Sequence, residues 1–220
     1  MVMDLNTIIT IGRQFGSGGR EIGEKLAEHF NIKCYDKELL ARAAKDSGMC
    51  EEVFEHHDEK PNGSFLYNLV MDTYSFGYNT ASTYFDMPVS HRVFLSQFDA
   101  IKNLAEEGPC VIVGRCADYA LQERNDVLNI FIYGSLEDRI KRVMERFKDI
   151  STQDKARDMI HKKDKQRKSY YDYYSSKKWG HVDTYDLSVD SSILGIEGTV
   201  KLLVQFVEDF ELARGITKHS

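Results

Sequence analysis

The sequence is poor in helix breakers and in the pairs that would staple it. Prolines number three, Pro61, Pro88 and Pro109, so long helices can run unbroken over most of the chain. The four cysteines, Cys34, Cys50, Cys110 and Cys116, form no C-x-x-C pair. At this size and spacing they argue against a disulfide framework and predict reduced thiols in a cytoplasmic protein. No apolar run approaches the roughly 18 residues that cross a bilayer. The start, "MVMDLNTIITIG", has neither a basic n-region nor a small-residue cleavage site, so no signal peptide and no membrane partner are expected. Positive charge is also in deficit: the net charge is -6, which argues against a general nucleic-acid or acidic-membrane binder.

What is present predicts a folded core. Hydrophobic residues make up 42% and charged residues 29%, so disorder is not the default. A length of 220 residues suffices for one large domain or for a core with a small inserted lobe. Strand-like runs occur at "TIITI" (7–11), "IKCY" (32–35), "CVIV" (110–113), "VLNIFIY" (127–133) and "TYDLSVD" (184–190). Helical spacing follows them: Ile22, Leu26, Ala27 and Phe30, then Leu39, Leu40, Ala43 and Ala44. Ser135 reads as an N-cap ahead of Ile140 and Val143, and a last helix is expected from about Gly195 to Leu212. Strands alternating with helices predict an α/β fold with a parallel sheet covered on both faces. Ligands in such sheets bind beyond the carboxyl ends of the strands.

Two segments interrupt the alternation. The Tyr- and Phe-rich stretch from Pro61 to about His91 predicts an inserted helical lobe, with outer limits near residues 46 and 108. The charged, then aromatic, stretch from Asp154 to Trp179 predicts a helical hairpin projecting from the sheet, within a segment of about 151–179.

The first strand runs into "GSGG" (Gly16–Gly19), and a helix follows. Glycines let backbone amides converge on a phosphate, and a helix N-terminus adds amides and dipole. The dinucleotide fingerprint G-x-G-x-x-G fails, because Glu21 stands where its third glycine belongs. The phosphate-loop pattern G-x-x-x-x-G-K-[ST] also fails at two places: Gly19 replaces the lysine and Arg20 the hydroxyl residue. Arg20 offers a fork of donors suited to phosphate, Arg13 is a second cation at the start of the loop, and Ser17 supplies a hydroxyl off the magnesium position.

"ITIGRQFGSGGREIGEKLAEHFNIKCYDKELLARAA", with "PCVIVGRCADYAL" much later, resembles the cytidylate kinase-like group of phosphate-loop kinases over nearly the whole chain. The resemblance implies a P-loop NTPase-type three-layer fold: a five-stranded parallel sheet, helices on both faces, an acceptor lobe and a lid, all in a single domain. It implies ATP- and Mg2+-dependent phosphoryl transfer to a nucleoside monophosphate, typically CMP or dCMP. ATP would rest on Arg13, Gly16, Ser17, Gly18, Gly19, Arg20 and Glu21.

The acceptor would meet Asp36 and Arg42, which match the ends of the family's D-x-G-x-x-Y-R stretch, whereas Glu38 and Ala41 replace its glycine and tyrosine. Arg115 matches the G-R-D stretch after the third strand, with the acid displaced to Asp118. Lys163, Asp164 and Arg167 resemble the lid motif R-D-x-x-D-x-x-R. Arg20, Arg115 and Arg167 would be the catalytic cations, with Arg139 and Arg142 either facing the phosphates or lying on a helix surface.

Two other readings stay open at this point. The missing lysine and hydroxyl favour a catalytically weak or inactive nucleotide-binding module descended from a kinase, acting as a sensor or interaction protein. The Lys/Arg and Tyr run from Lys162 to Trp179 could stack and hold single-stranded RNA, against the acidic net charge. The sequence leaves open the acceptor, the oligomeric state and the magnesium ligands, among which Glu21, Asp118 and water alone are the options.

Overall fold

The structure, a computed structural model, describes residues 5–36, 38–50, 52–54, 58–59 and 87–215. The aromatic stretch from Pro61 up to residue 86 lies outside the described residues. The strands are β1 (Ile8–Arg13), β2 (Lys33–Tyr35), β3 (Cys110–Val113), β4 (Val127–Tyr133) and β5 (Leu187–Asp190). They form one sheet in the order β2-β3-β1-β4-β5, parallel at every pairing. β1 is therefore central, with Ile9 beside Val111 of β3 and beside Leu128 of β4.

A parallel sheet must be covered on both faces, which explains its nearly continuous apolar, β-branched strands. Ile9, Ile11, Val111, Val113 and Leu128 pack beneath Ile22 and Leu26 of helix α1 (Gly19–Phe30) and Leu203 and Val207 of the last helix. Ile8, Cys110 and Ile112 face the other way. They pack on Leu39 and Ala43 of α2 (Glu38–Ser47) and on Ile101 and Leu104 of α3 (Val89–Glu106). The result is the three-layer α/β architecture expected from the sequence. Although α3 falls within the 46–108 range assigned to the inserted lobe, it supplies part of this core. α1 ends where Asn31 turns left-handed at φ 54° and its N–H caps the carbonyls of Ala27 and Glu28.

The remaining helices are α4 (Ala117–Ala120), α5 (Leu136–Arg146), α6 (Gln153–Tyr174) and α7 (Ser191–Ala213). Ser135 caps α5 as expected, its hydroxyl accepting the N–H of Asp138. Most of the projected hairpin of 154–179 is instead one continuous helix of 22 residues ending at Tyr174, capped by Thr152. Nothing between Gln153 and Tyr174 breaks a helix: the stretch holds no proline and no glycine. α7 starts before the expected Gly195, which adopts a non-helical conformation and kinks it.

α6 has a use for its charged-then-aromatic composition. Its first half packs Ala156 and Ile160 on Ile140 and Val143 of α5. Its second half buries Tyr170, Tyr171 and Tyr174 with Phe94, Leu95, Phe131 and Tyr185. The rings of Phe94 and Tyr174 stack with centroids 3.9 Å apart. These tyrosines are core, so they offer no open faces to stacked RNA bases.

Candidate active site

The turns after β1, β2 and β3 meet at one end of the sheet, and some of the expected site residues fall there. The first turn is pinned from inside. Ser17 Oγ donates to the carbonyls of Gln14 at 2.9 Å and Ile132 at 3.0 Å, and Ser191 Oγ donates to the carbonyl of Ser17 at 2.7 Å. The Ser17 hydroxyl is thus a structural pin directed into the protein. Gly16 and Gly18 have φ of 81° and 82°, the left-handed region that favours glycine. Each is also close-packed: a Cβ on Gly18 would overlap Ile196, and one on Gly16 would lie 3.0 Å from the Arg139 carbonyl. Among the described residues, no acceptor meets the N–H groups of Gly16, Gly18, Gly19, Arg20 and Glu21. Amides left free at a glycine turn and a helix N-terminus are able to receive an anion.

α6 is tied directly to the loop. The Asp164 carboxylate accepts the N–H of Phe15 at 2.7 Å and forms an ion pair with Arg139. Arg139 Nε in turn donates to the Phe15 carbonyl at 2.8 Å. One helical turn further on, the Arg167 guanidinium lies over the Phe15 ring at 5.5 Å. Ile160, Asp164, Arg167 and Tyr171 share one face of α6 by their spacing, whereas Lys163 is exposed.

Three arginines and three carboxylates fill the space between the turns. Arg115, following β3, donates through Nη1 to Asp36 at 2.6 Å and to the Val113 carbonyl at 2.8 Å. Its Nε and Nη2 hold Asp58 at 3.1 and 2.9 Å. Arg13 Nη1 meets Glu59 at 2.6 Å, and Arg167 Nε meets the other oxygen of the same carboxylate at 3.0 Å. The charges of Arg13, Arg115 and Arg167 are thus matched by Asp36, Asp58 and Glu59. Arg13, Arg115, Arg167 and Glu59 line a cavity of about 20 Å³ together with Asp118, Tyr171 and Tyr185, room for about one water.

Burial sets the electrostatics. It pushes the carboxyl groups of Asp36 and Glu59 up, but the surrounding arginines pull harder and hold both below the usual carboxylate range. At Asp58 burial outweighs the pull of Arg115, and the neighbouring Glu59 charge adds to it, so its pKa rises. Asp118 is also raised by burial, against a hydrogen bond from the Tyr171 hydroxyl and the charge of Lys177 at 3.7 Å.

Three further expected members stand apart from this cluster. Arg42 pairs with Asp46 and Glu107, each at 3.0 Å, on the outer side of α2. Arg20 points along the outside of α1 to Glu24 at 2.8 Å and reaches Asp36 only at 3.4 Å. Glu21 is exposed, 3.8 Å from Arg142. The sequence reading did not single out Asp58, Glu59, Tyr171 or Tyr185. Asp58 and Glu59 sit in "EHHDEK", which carries no motif; their signal is only the need of buried arginines for partners.

A central parallel sheet whose first strand feeds a glycine loop and a helix defines a P-loop-type α/β protein. The chain matches the cytidylate kinase-like family over residues 8–193 and belongs to it. With the family goes its general class, a kinase-like protein on a nucleotide-binding P-loop fold. The chain is 24% identical over 205 residues to a cytidylate kinase of Pyrococcus horikoshii, covering 93% of this chain and 90% of that one. A solved structure of an uncharacterized protein from Eubacterium ventriosum is similar at a TM-score of 0.67 and 30% identity, over 92% of this chain and 98% of that one. Shikimate kinase from Bacteroides thetaiotaomicron shares the fold at a TM-score of 0.53 and 13% identity, over 92% and 98% of the two chains. Among the described residues no helix is long and apolar enough to cross a membrane.

Proposed function

We propose that the chain transfers the terminal phosphoryl group of ATP to a nucleoside monophosphate, with CMP and dCMP the first acceptors to test. One observation carries this reading. A glycine loop with uncommitted amides and the guanidinium groups of Arg13, Arg115 and Arg167 meet at one end of the sheet. Phosphoryl transfer asks for in-line positioning and positive charge around the transferred group, and little covalent chemistry from the protein.

In this reading Gly16–Glu21 cradle the phosphates of ATP. Arg115, Asp36 and Asp118 line the acceptor side, and Arg167 brings the charge of α6 to the transferred group. Asp164 fixes α6 against the loop. The bond from the γ-phosphorus to the β–γ bridging oxygen breaks, a bond to an acceptor phosphate oxygen forms, and ADP leaves. Magnesium arriving with ATP would supply screening of the phosphate charge. Among the described residues no group of three or more His, Cys, Asp or Glu is arranged to hold a metal, and the Ser17 hydroxyl is committed inward. The uncommitted loop amides and the arginines are the protein groups suited to the phosphates.

The test is ADP formation by purified protein with ATP-Mg and CMP, dCMP, UMP or AMP. Turnover above acceptor-free hydrolysis on at least one is expected; silence on all four refutes the kinase reading. A second reading, a nucleotide-binding module without turnover, is favoured by the pairing of all three arginines with protein carboxylates. ATP binding with no turnover over a broad panel of acceptors selects it.

A further inference from the structure

Gly19 stands where the phosphate-loop pattern carries its lysine, and its surroundings explain the substitution. A Cβ on Gly19 would lie 2.6 Å from Cβ of Arg13 and 3.2 Å from its Cγ. Real Cβ atoms do not approach backbone-anchored carbons so closely, so the stem of Arg13 occupies the path that a lysine stem would take. The guanidinium of Arg13 then emerges at the carboxyl end of β3, where a Cβ on Gly114 would overlap its Nη1. Three sites, 13, 19 and 114, are thus shaped around one side chain.

We infer that Arg13, and not Arg20, is the phosphate-binding cation of this loop, and that Glu59 occupies the place of the anion it binds. The inference rests on the nucleotide-phosphate reading given above and names the residue that replaces the lysine.

The ion pairs support the assignment. Glu59 presents one oxygen to Arg13 at 2.6 Å and the other to Arg167 at 3.0 Å. Arg167 Nη1 also donates to the Arg13 carbonyl at 3.2 Å, so the loop and α6 close on one carboxylate. A phosphoryl group offers the same two cations the same pair of acceptor oxygens with more charge. Glu59 holds this position at φ 51°, a left-handed conformation uncommon outside glycine and sustained by its ion pairs. The other arginines are less suited. Arg115 is engaged through four of its five N–H groups by Asp36, Asp58 and the Val113 carbonyl. Arg20 has a side chain 32% exposed and engaged with Glu24 on its own helix.

The experiment is calorimetric titration of the full chain with sodium tripolyphosphate and with ATP-Mg, in wild type, Arg13→Ala, Arg20→Ala, Glu59→Gln and the Arg13→Ala/Glu59→Gln double variant. Wild type is expected to bind both ligands. Arg13→Ala should weaken tripolyphosphate at least 30-fold, and Arg20→Ala at least tenfold less than that. Glu59→Gln removes the competing charge and should tighten tripolyphosphate fivefold or more, a gain that vanishes when Arg13 is also replaced.

An Arg20→Ala loss equal to or greater than that of Arg13→Ala overturns the inference. So does a Glu59→Gln protein that binds no tighter than wild type. If Arg13→Ala fails to fold, the Glu59→Gln comparison decides alone. Wild type binding neither ligand overturns the nucleotide reading and this inference with it; wild type binding both with Arg13→Ala unimpaired overturns this inference only.

Discussion

Asp164 of α6 accepts the backbone N–H of Phe15 at 2.7 Å and, with the same carboxylate, pairs with Arg139, which holds the Phe15 carbonyl at 2.8 Å. One loop residue is therefore held at both its polar groups by side chains from two helices. Removing Asp164 takes the carboxylate from the buried Arg139 charge and the acceptor from the Phe15 amide together. Asp164→Ala is expected to cost about 3 kcal/mol of stability, with Asp164→Asn between the two, in urea denaturation. Hydrogen exchange of the Phe15 amide should accelerate in the same order.

Gly19 and Arg13 compete for one volume, so their substitutions should not be additive. Gly19→Ala puts a methyl group 2.6 Å from the Arg13 stem and is expected to destabilise by about 1–3 kcal/mol. In an Arg13→Gly background that clash is absent, and Gly19→Ala should cost less than half as much. A double-mutant cycle by thermal unfolding measures the coupling; additive effects would show that the stem of Arg13 yields freely.

The buried acids make opposite predictions for pH. Asp36 and Glu59 have folded-state pKa values lowered from 3.8 and 4.5, burial being outweighed by the arginines. Such groups contribute stability above the unfolded value and lose it as pH falls through the folded one. Asp58 is raised from 3.8, chiefly by burial. Its ionisation costs stability as pH climbs past the unfolded value, and the loss is complete above the folded one. At pH 7, Asp36→Asn and Glu59→Gln should therefore lower the urea midpoint, and their deficit should shrink as pH falls below about 4. Asp58→Asn should raise the midpoint at pH 7, with the advantage fading in acid.

Ser17 is expected to matter for folding before it matters for any ligand. Its hydroxyl donates to the carbonyls of Gln14 and Ile132, both on the inner side of the loop. Ser17→Ala should cost about 1–2 kcal/mol, read as a lowered thermal midpoint without nucleotide. An unchanged midpoint would show that the loop does not depend on this pin.

The layered α/β fold was legible because parallel strands buried on both faces must be apolar throughout. The runs at 110–113 and 127–133 coincide with β3 and β4, and β1 starts one residue later than the expected 7–11 and extends to Arg13. The segment 154–179 was not legible as one helix. Its charged half and aromatic half pack on different neighbours, α5 and α3, so its composition changes along the axis and suggests two elements. Within the site, Arg115 was readable from its place at the end of an apolar strand, because a buried guanidinium requires acids. Which acids was not readable: Asp58 and Glu59 come from a segment without a motif.

The cations of the loop show the same division. By itself the sequence determined that a strand, a glycine turn and a helix succeed one another at residues 8–30, because β-branched runs, glycines and helical spacing are local signals. It placed Arg20 nearest the missing lysine by counting along the chain. Only the tertiary structure decided that Arg20 turns outward on its helix, while Arg13 threads under Gly19 to meet Glu59 and Arg167. The physical reason is that a side chain's direction follows from the element it stands on, and its partners from how distant elements pack. Neither is written in the spacing of one motif.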